Sequence, residues 1–389
     1  MKVCMLAYAF YESDTRIQQY ATALAERGDE VDVIALRRET QPFYERLHGV
    51  NVYRIQSRTV NEQGRCSYLY RIMRFLFAAA IFLARKGRAR RYGLIHVHSV
   101  PDFLVFAALA PKLAKTPVIL DIHDLLPELY ASKFDLRRGS LLFRLLILIE
   151  KWSISFSDHV IIANHIWEER LVSRSVVAGK CTTIRNYPDP TVFFPRPRHK
   201  HSSKFVITYP GTLNWHQGVD VAIRAIAKVT AEIPGVEFHI YGEGPAKPGL
   251  MKLADNLNVT SHIKFHDFLP TEQIAAVMAE SDLAVEPKRG SSSFGNEAAS
   301  TKILEFMALR VPLIVSNTKV HLYYYDDTMV KFFESDNELE LASCILALGR
   351  DPRLGEKLTA RAAAHARVNN WGKKKNEYLH LVDSLSAAC

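Results

Sequence analysis

The chain has 389 residues, of which 48% are hydrophobic and 23% are charged, a composition typical of a soluble globular protein. The length predicts two domains. Five scattered cysteines without a CxxC pair give no sign of a disulfide framework or a zinc site, and the first residues indicate a strand rather than a signal peptide. We therefore expect a reducing, cytoplasmic location.

The net charge of +9 is unevenly distributed along the chain. Residues 1–200 contain 30 Lys and Arg against 19 Asp and Glu, whereas residues 201–389 contain 20 against 22. The basic first half predicts an acidic partner such as a membrane surface, a phospholipid or a nucleic acid. The second half gives no such indication.

The first 35 residues indicate a βαβ unit. A strand over 2–7 is followed by an amphipathic helix over 15–27, and Gly28 ends this helix before a second strand over 30–35. Such a unit predicts a parallel sheet. The loop between the first strand and the helix contains no glycine, so it is not the GxGxxG fingerprint of a dehydrogenase.

Two apolar helices are predicted in the first half. Residues 70–91 have an apolar block at 75–83, about half the length needed to cross a bilayer, with basic flanks on both sides. This segment is either a helix that lies on an anionic membrane or a buried helix with a solvated basic end. The second helix, over 141–152, is assigned to the core, with membrane contact as the alternative.

Two predicted strands of the first half end at histidines. The strand over 94–98 ends at His98, and the strand over 117–122 is followed by His123. The carboxyl ends of parallel strands line the crevice in which open α/β sheets bind ligands. Histidines at two successive strand ends therefore predict a site.

A polar segment that contains Pro197, at 196–203, is the best candidate for a linker. It separates an N-terminal domain over 1–195 from a C-terminal domain over 204–370. After this segment the alternation of strands and helices starts again, which predicts a second α/β domain. A C-terminal helix over 371–389 can cross back to the first domain.

The strongest signal is the stretch at 286–316. A strand end is followed by a loop with glycines and serines at 290–295, and Ser300 can cap the next helix. A helix that begins in this way at the carboxyl end of a strand can bind an anion through its free N–H groups and its dipole. Thr301 and Lys302 lie in its first turn.

Two carboxylates bracket the start of this helix, Glu297 in the loop and Glu305 in the second turn. A carboxylate at this place weakens phosphate binding, so we assign both to hydroxyl groups of a ligand. For each glutamate alone, a solvated surface charge is the alternative. The combination with an anion-binding helix start favours a ligand site.

These motifs resemble the retaining GT-B glycosyltransferases of family four. Glu297 and Glu305, with seven residues between them, are similar to the E-x7-E pair of that family. Further similar segments are 302–308 with Pro312, the histidine strand ends at 95–98 and 122–124, the glycine turn at 242–245 and the crossing at 186–195. The resemblance spans nearly the whole chain and implies two doubly wound, Rossmann-like α/β domains that face a cleft.

The resemblance also implies a site for a nucleotide-diphosphate sugar. Glu305 would bind the ribose, Glu297 the sugar, and the N–H groups near 300–302 the diphosphate. It implies catalytic roles for His123, Glu297 and Lys302. The implied donor-binding residues are Gly211, Gln217, Gly242, Lys288, Arg289, Ser300, Thr301, Leu304 and Glu305, and the implied acceptor-side residues are Asp14, Arg16 and His98. No metal and no cofactor is implied, and the chain contains no Asp-x-Asp motif.

The chain departs from the family pattern in the loop that follows the first strand of the second domain. Thr212 and Gln217 stand where an arginine and a lysine usually contact the diphosphate. Lys288, Arg289 or Lys302 would then supply the positive charge.

Two other departures concern turns. Arg310 stands where a glycine usually follows the Met-Ala helix, and a side chain in a left-handed cap costs about 1 kcal/mol, so we expect a different turn here. In the first loop of the chain, Asp14 and Arg16 replace glycines, which predicts a different selection of acceptor.

The expected function is a retaining glycosyltransferase that moves a sugar to a lipid-linked or cell-surface glycan acceptor. We expect it in the cytoplasm, in peripheral contact with the anionic inner face of the plasma membrane through 70–91. One alternative is a nucleotide-sugar 2-epimerase of the same fold, which needs no acceptor. The other is a non-catalytic module for sugar nucleotides or nucleic acid. The aromatic residues of 70–91 form one block instead of alternating with the cations, so we expect no nucleic-acid partner.

Overall fold

Two α/β units make up the chain, in a computed structural model that describes residues 1–387 apart from 59–64, 90, 135–136, 138 and 198–203. Unit 1 contains Met1–Asn186 and Lys375–Cys389, and unit 2 contains Tyr187–Lys374. Residues 187–195 therefore belong to unit 2, whereas the sequence assigned them to the first domain. Most of the linker expected at 196–203 lies outside the described residues.

The strands of unit 1 are β1 (Lys2–Ala7), β2 (Glu30–Arg37), β3 (Tyr44–Leu47), β4 (Val50–Ser57), β5 (Leu94–His98), β6 (Val118–Ile122), β7 (His159–Ile162) and β8 (Cys181–Thr183). They form one sheet in the order β3-β4-β2-β1-β5-β6-β7-β8, and every neighbouring pair is parallel except β3 and β4. The central strands are buried along almost their whole length, because helices cover both faces of a parallel sheet.

The helices of unit 1 are α1 (Thr15–Glu26), α2 (Arg65–Ala89), α3 (Leu109–Leu113), α4 (Leu126–Phe134), α5 (Leu141–Phe156) and α6 (His165–Arg174). The sequence analysis did not predict the hairpin of β3 and β4. Its turn is formed by His48 and Gly49, which both have positive φ and join strands at a two-residue loop.

Unit 2 contains β9 (Phe205–Pro210), β10 (Val236–Tyr241), β11 (Ile263–His266), β12 (Leu283–Glu286), β13 (Leu313–Ser316) and β14 (Lys331–Phe333). Their order, β11-β10-β9-β12-β13-β14, is that of a Rossmann sheet, and all pairs are parallel. The predicted fold class of two doubly wound α/β domains is confirmed.

The helices of unit 2 are α7 (Val219–Val229), α8 (Lys247–Asn256), α9 (Thr271–Ala279), α10 (Thr301–Ala308), α11 (Lys319–Tyr324), α12 (Glu338–Arg350) and α13 (Pro352–Val368). The last helix, α14 (Trp371–Ala387), begins in unit 2 and continues in unit 1. One apolar core joins the sheet to α7 and α12, with Phe238, Ile223 and Ile345 at its centre.

Helix α2 has one buried and one exposed face. Phe75 and Leu83 are buried in unit 1, whereas Phe77 and Ile81 are exposed. By length and composition Ser67–Lys86 is apolar enough to cross a bilayer, with a mean hydropathy of 1.4, and 22% of it is buried inside the fold. Because α2 links two strands of one sheet and packs against β4, a membrane-spanning position would remove it from the fold.

Helix α5 also differs from the expectation. Phe143 and Ile154 are buried as predicted, but Leu141, Leu145 and Trp152 are exposed. The prediction of a core helix therefore holds for one face only.

Two glycines bring the loops after β9 and β10 together. Gly211 has φ +147° and Gly242 has φ +144°, conformations that side chains rarely adopt. A Cβ on Gly242 would lie 2.0 Å from the carbonyl oxygen of Gly211. The loops after β9 and β10 are therefore in contact at the carboxyl edge of the sheet, where α10 also begins.

Replacement of Gly242 by alanine tests this packing. Gly242→Ala is expected to lower the free energy of unfolding by about 3 kcal/mol, because backbone must move to accept the Cβ. The control is Gly249→Ala in α8, where a Cβ meets nothing within 4 Å and helix propensity favours alanine by up to about 1 kcal/mol. Denaturant unfolding measures both, and equal stabilities of the two variants would contradict the prediction.

Candidate functional site

The start of α10 lies at the carboxyl edge of the sheet in unit 2. Strand β12 ends at Glu286, and the loop that follows returns to Ser300, which has extended dihedral angles at the N-cap. The prediction of a helix that begins here is confirmed, although the Ser300 hydroxyl does not cap it. The first N–H groups of α10 have no partner within the helix, as at any helix start, and can bind an anion.

Lys302 in this first turn is tied to the two neighbouring strands. Its Nζ lies 3.2 Å from Oε2 of Glu286 and 3.3 Å from the hydroxyl oxygen of Tyr209. Burial opposes the charged form of the lysine, but the carboxylate of Glu286 raises the pKa of Lys302 above its ordinary value. The ammonium group therefore remains charged.

Glu286 is itself buried at the end of an apolar strand. Burial favours its neutral form, but Lys302 and Lys288 hold the pKa of this carboxyl below its ordinary value. Lys288 is buried as well and donates from Nζ to the carbonyl oxygen of Ala298 at 2.7 Å. Two lysines thus share one buried carboxylate.

Two histidines lie in the same electrostatic environment. Burial lowers the pKa of His216 to about 4, and Lys288 and Lys302 add to this effect. Burial likewise lowers the pKa of His321 to about 4, although Glu286 opposes the shift. Nδ1 of His321 donates to the carbonyl oxygen of Ser316 at 2.8 Å. Both rings are therefore neutral at pH 7.

Glu305 lies one turn further along α10. Burial raises its pKa to about 7, and Lys302 and the hydroxyl of Thr301 lower it only in part. Glu305 as a whole residue is partly exposed, whereas Glu297 in the loop is buried. A carboxyl with a pKa near 7 can both accept and donate hydrogen bonds, as a ligand with hydroxyl groups requires.

Three of the predicted donor-binding residues have other contacts. The guanidinium of Arg289 pairs with Asp220 at 2.6 Å and with Asp336, so these carboxylates compensate its charge. Leu304 is completely buried, and its side chain belongs to the core instead of a ligand surface. Gln217 lies in the turn beside His216, with Nε2 3.4 Å from the Nε2 of that ring.

Gly211, a predicted donor-binding residue, lies close to the start of α10. Gly211 lies beside Lys302, since a Cβ at this glycine would be 3.1 Å from the lysine Nζ. Gly211, Ser300, Thr301, Lys302, Lys288 and Glu305 are thus brought to one edge of unit 2.

A second polar cluster lies at the carboxyl edge of the sheet in unit 1. Asp121 is completely buried in β6, and Arg16 from α1 binds both of its oxygens, Nε to Oδ2 at 2.8 Å and NH2 to Oδ1 at 2.7 Å. The remaining contacts of Arg16 are from NH1 to the Ile184 carbonyl and the Asn186 amide oxygen, each at 2.8 Å. Burial favours neutral Asp121, but Arg16 holds its pKa well below the ordinary range.

The predicted histidines meet at this carboxylate. Nδ1 of His98 lies 3.1 Å and Nε2 of His123 lies 3.2 Å from Oδ2 of Asp121. Burial lowers the pKa of His98, whereas in His123 burial is outweighed by Asp121, which raises the pKa. His123 is partly exposed and carries a proton more readily than His98.

Two of the predicted acceptor-side residues, Arg16 and Asp14, make contacts inside unit 1. Arg16 uses its donors inside the fold, so its role is to hold Asp121 and the end of β8 together. Asp14 is the N-cap of α1 and accepts from the backbone N–H of Ile17 at 3.1 Å. Its second oxygen lies 3.9 Å from Nδ1 of His123, which keeps it close to the cluster.

Among the described residues, His96, His98 and Asp121 offer ligand atoms within 4.8 Å of one another and could hold a metal ion. Arg16 already donates to both oxygens of Asp121 and supplies the positive charge that a metal would bring. Nδ1 of His96 also lies 3.0 Å from the hydroxyl of Tyr378 in α14. This arrangement disfavours a metal at these residues.

The sequence analysis assigned no role to the two residues on which the clusters depend, Asp121 and Glu286. Each is a single carboxylate in an otherwise apolar parallel strand, a pattern that signals a buried charge with a required partner. Tyr209, His216, His321, His96 and Tyr378 were also missed, and their signal is weaker because buried tyrosines and histidines are common in cores.

Two protein families match the chain. The glycosyl transferase 4-like domain matches residues 13–187, and the glycosyl transferases group 1 domain matches residues 193–365. Together these matches include both polar clusters.

Curated relatives are similar over part or most of the chain. The alpha-D-kanosaminyltransferase of Streptomyces kanamyceticus is 28% identical over 43% of this chain and 42% of its own length. One subunit of the human phosphatidylinositol N-acetylglucosaminyltransferase is 23% identical over 72% of this chain and 55% of its own. The chain thus spans about half the length of each. The D-inositol 3-phosphate glycosyltransferase of Thermomonospora curvata is 23% identical over 91% of this chain and 86% of its own length.

Solved structures share the fold at low identity. The sucrose-phosphate synthase of Thermosynechococcus elongatus has a TM-score of 0.80 at 18% identity, with all of both chains covered. HepE of Anabaena, solved in complex with UDP-glucose, has a TM-score of 0.74 at 16% identity over 99% of this chain and 100% of its own. The fold is GT-B.

Substitution of Arg16 tests its role in the fold. Arg16→Met leaves the Asp121 carboxylate buried without its cation and is expected to lower the free energy of unfolding by about 3 kcal/mol. Arg361→Met, at an exposed position of α13, is the control and should change it by less than about 0.5 kcal/mol. Denaturant unfolding that finds the two variants equally stable would assign Arg16 to ligand binding alone.

The raised pKa of Glu305 predicts a pH dependence of stability. The folded chain binds this proton with a pKa of about 7, above the ordinary 4.5, so the free energy of unfolding should fall as pH rises from about 4.5 to 7. The Glu305→Gln variant should lack this decrease. Its free energy of unfolding at pH 8 should exceed that of the parent by about 2 kcal/mol. Thermal unfolding across this range, with exposed Glu356→Gln as control, checks the difference. A curve for Glu305→Gln that coincides with the parent's would refute the assignment.

Proposed function

The chain belongs to the glycosyltransferases that combine a glycosyl transferase 4-like domain with a group 1 domain, and we propose that it is a retaining enzyme. In this proposal it transfers a sugar from a nucleotide-diphosphate sugar to a lipid-linked or cell-surface glycan acceptor. The complex of HepE with UDP-glucose supports the class of donor. The similarity to a D-inositol 3-phosphate glycosyltransferase and to a phosphatidylinositol N-acetylglucosaminyltransferase subunit supports an acceptor with a phosphate or lipid.

The observation that carries the proposal is the position of Lys302 at the start of α10. An ammonium has three N–H donors, of which Glu286 and Tyr209 engage two. The third, together with the N–H groups of the first helical turn, suits a diphosphate. Gly211 leaves space beside Nζ that a larger residue would fill.

The charges of the cluster fit an anionic donor despite Thr212 and Gln217. Lys302 and Lys288 both act on the buried carboxylate of Glu286, so two lysines face one carboxylate at the end of β12. Arg289 contributes little, because Asp220 and Asp336 compensate it. We propose that the two lysines replace the usual cations of the loop after β9, and that no metal is required.

Catalysis in this proposal rests on stabilisation of the leaving group. As the glycosidic bond breaks, negative charge develops on the β-phosphate, and Lys302 and the N–H groups of α10 stabilise that charge. The phosphate oxygen then accepts the proton of the acceptor hydroxyl, so no separate strong base is needed. Glu305 binds the ribose hydroxyls and Glu297 the sugar.

Unit 1 contributes through His123. This ring is partly exposed, whereas His98 and Asp121 are completely buried and hold it in place. We propose that His123 contacts the reacting substrate and that His98 is a positioning residue. The exposed apolar side chains of α2, with the neighbouring cations, support the peripheral membrane contact expected for 70–91.

Substitutions at Lys302 test the donor site. Lys302→Met should lower kcat by about 10²-fold or more, since one donor to the developing charge is lost. The double variant Glu286→Gln with Lys302→Met should lose as much activity, and it shows that the loss does not come from a Glu286 carboxylate left with Lys288 alone. Transfer of labelled sugar from a panel of nucleotide sugars to membrane lipid is measured, with exposed Lys228→Met as control. Full activity of both Lys302 variants would refute the assignment.

The configuration of the product tests the proposed stereochemistry. An α-linked donor should give an α-linked product, and proton NMR coupling constants of the anomeric position distinguish the two outcomes. A β-linked product would exclude retention. Conversion of the sugar nucleotide without any acceptor would instead favour an epimerase.

A further inference from the structure

Helix α5 exposes apolar residues on one of its faces. Leu141, Leu145, Leu148 and Trp152 have between 39% and 84% of their surface exposed. At 3.6 residues per turn these four side chains lie within about 60° of one another and form a continuous stripe. We call these four residues the outer face of α5.

The opposite side of α5 is fully engaged in unit 1. Phe143, Leu146 and Ile154 are buried there, and Glu150 pairs with Arg174 of α6 at 2.6 Å. The helix is therefore fixed by this inner side. The outer face remains largely exposed although it is apolar, which calls for another contact.

The exposed charges of α5 are positive. Arg144 and Lys151 are exposed on one flank of the stripe, and Arg137 is exposed just before the helix. The only carboxylate of α5, Glu150, is buried and paired with Arg174. Trp152 adds a residue that is enriched where proteins meet the headgroup region of a bilayer.

We propose that the outer face of α5 inserts into the headgroup region of an anionic membrane. Leucines and a tryptophan supply apolar surface, and the cations on one flank match anionic lipid headgroups. A second copy of this chain fits less well, because paired α5 helices would bring their cations together with no exposed carboxylate of α5 to meet them. The occupant that matches both the apolar stripe and the charge is the lipid surface.

This inference deepens the membrane part of the proposed function but rests on a different element. The proposed contact through 70–91 involves α2, whose exposed residues include Phe77 and Ile81. The two helices can be tested separately. Binding to vesicles needs neither donor nor acceptor, so the test does not depend on the proposed transfer reaction.

The test uses the full chain and vesicles of phosphatidylcholine and phosphatidylglycerol in equal parts. Leu145→Glu should lower the fraction that sediments with the vesicles by at least about tenfold, because an inserted leucine is lost and a negative charge is added. The matched control is Met251→Glu in α8, since Leu145 and Met251 are 50% and 48% exposed. The control should bind like the parent chain.

The fluorescence of Trp152 distinguishes insertion into the membrane from a merely electrostatic contact, which would leave the fluorescence unchanged. Its fluorescence should shift to shorter wavelength on addition of vesicles, and Trp152→Phe should abolish the shift while most of the binding remains. Arg144→Gln with Lys151→Gln should weaken binding to anionic vesicles and make it less sensitive to salt.

Three results would overturn the inference. The first is that Leu145→Glu binds vesicles as tightly as Met251→Glu does. If Phe77→Glu alone then abolished binding, the membrane contact would belong to α2. The parent chain could fail to bind any vesicle. It could also form a dimer in sedimentation velocity that Leu145→Glu dissociates, which would assign the outer face to a second copy. Donor binding by Leu145→Glu, measured separately, shows whether the site in unit 2 is intact in each case.

Discussion

Each of the two sheets places a buried carboxylate at the carboxyl end of a central strand, and each carboxylate has a cation from a nearby helix start as its partner. In unit 1 Arg16 binds Asp121, and in unit 2 Lys302 binds Glu286. A buried charge without a partner would cost several kcal/mol, so these pairs fix where α1 and α10 begin relative to their strands. The polar groups of both clusters are arranged around these two pairs.

The two pairs leave different capacities for a ligand. Arg16 uses its guanidinium donors inside unit 1, in four hydrogen bonds, and the histidines beside it share the same carboxylate. Lys302 has a donor to spare, and the free N–H groups of α10 and the positive charge of Lys288 add to it. An anionic ligand therefore suits the cluster in unit 2, whereas Asp121 compensates the cation of the cluster in unit 1 and His123 lies at its edge. This contrast fits a donor site in one unit and an acceptor side in the other.

The sequence predicted the sheets and the start of α10 because those features are local: apolar strands, amphipathic helices and a loop with glycines before a helix. The sequence predicted a different turn after α10, because Arg310 replaces a glycine, but Arg310 adopts the left-handed φ of +58° there. It did not predict the partners of Arg289 or the burial of Leu304, because contacts with Asp220 and Asp336 join residues far apart in the chain. For the same reason Glu286 and Asp121 had no assigned role. The sequence assigned α5 to the core, with membrane contact as the alternative, because an apolar helix gives no sign of which side is buried.

The central claim is that Lys302, held by Glu286, binds the diphosphate of a nucleotide donor. The most direct measurement is the thermal stability of the parent chain and of the Glu286→Gln, Lys302→Met double variant with a panel of nucleoside diphosphates. At about 100 times its dissociation constant, the correct nucleotide should stabilise the parent by about 2.7 kcal/mol and the double variant much less. A panel that stabilises neither protein, or both equally, would contradict the account.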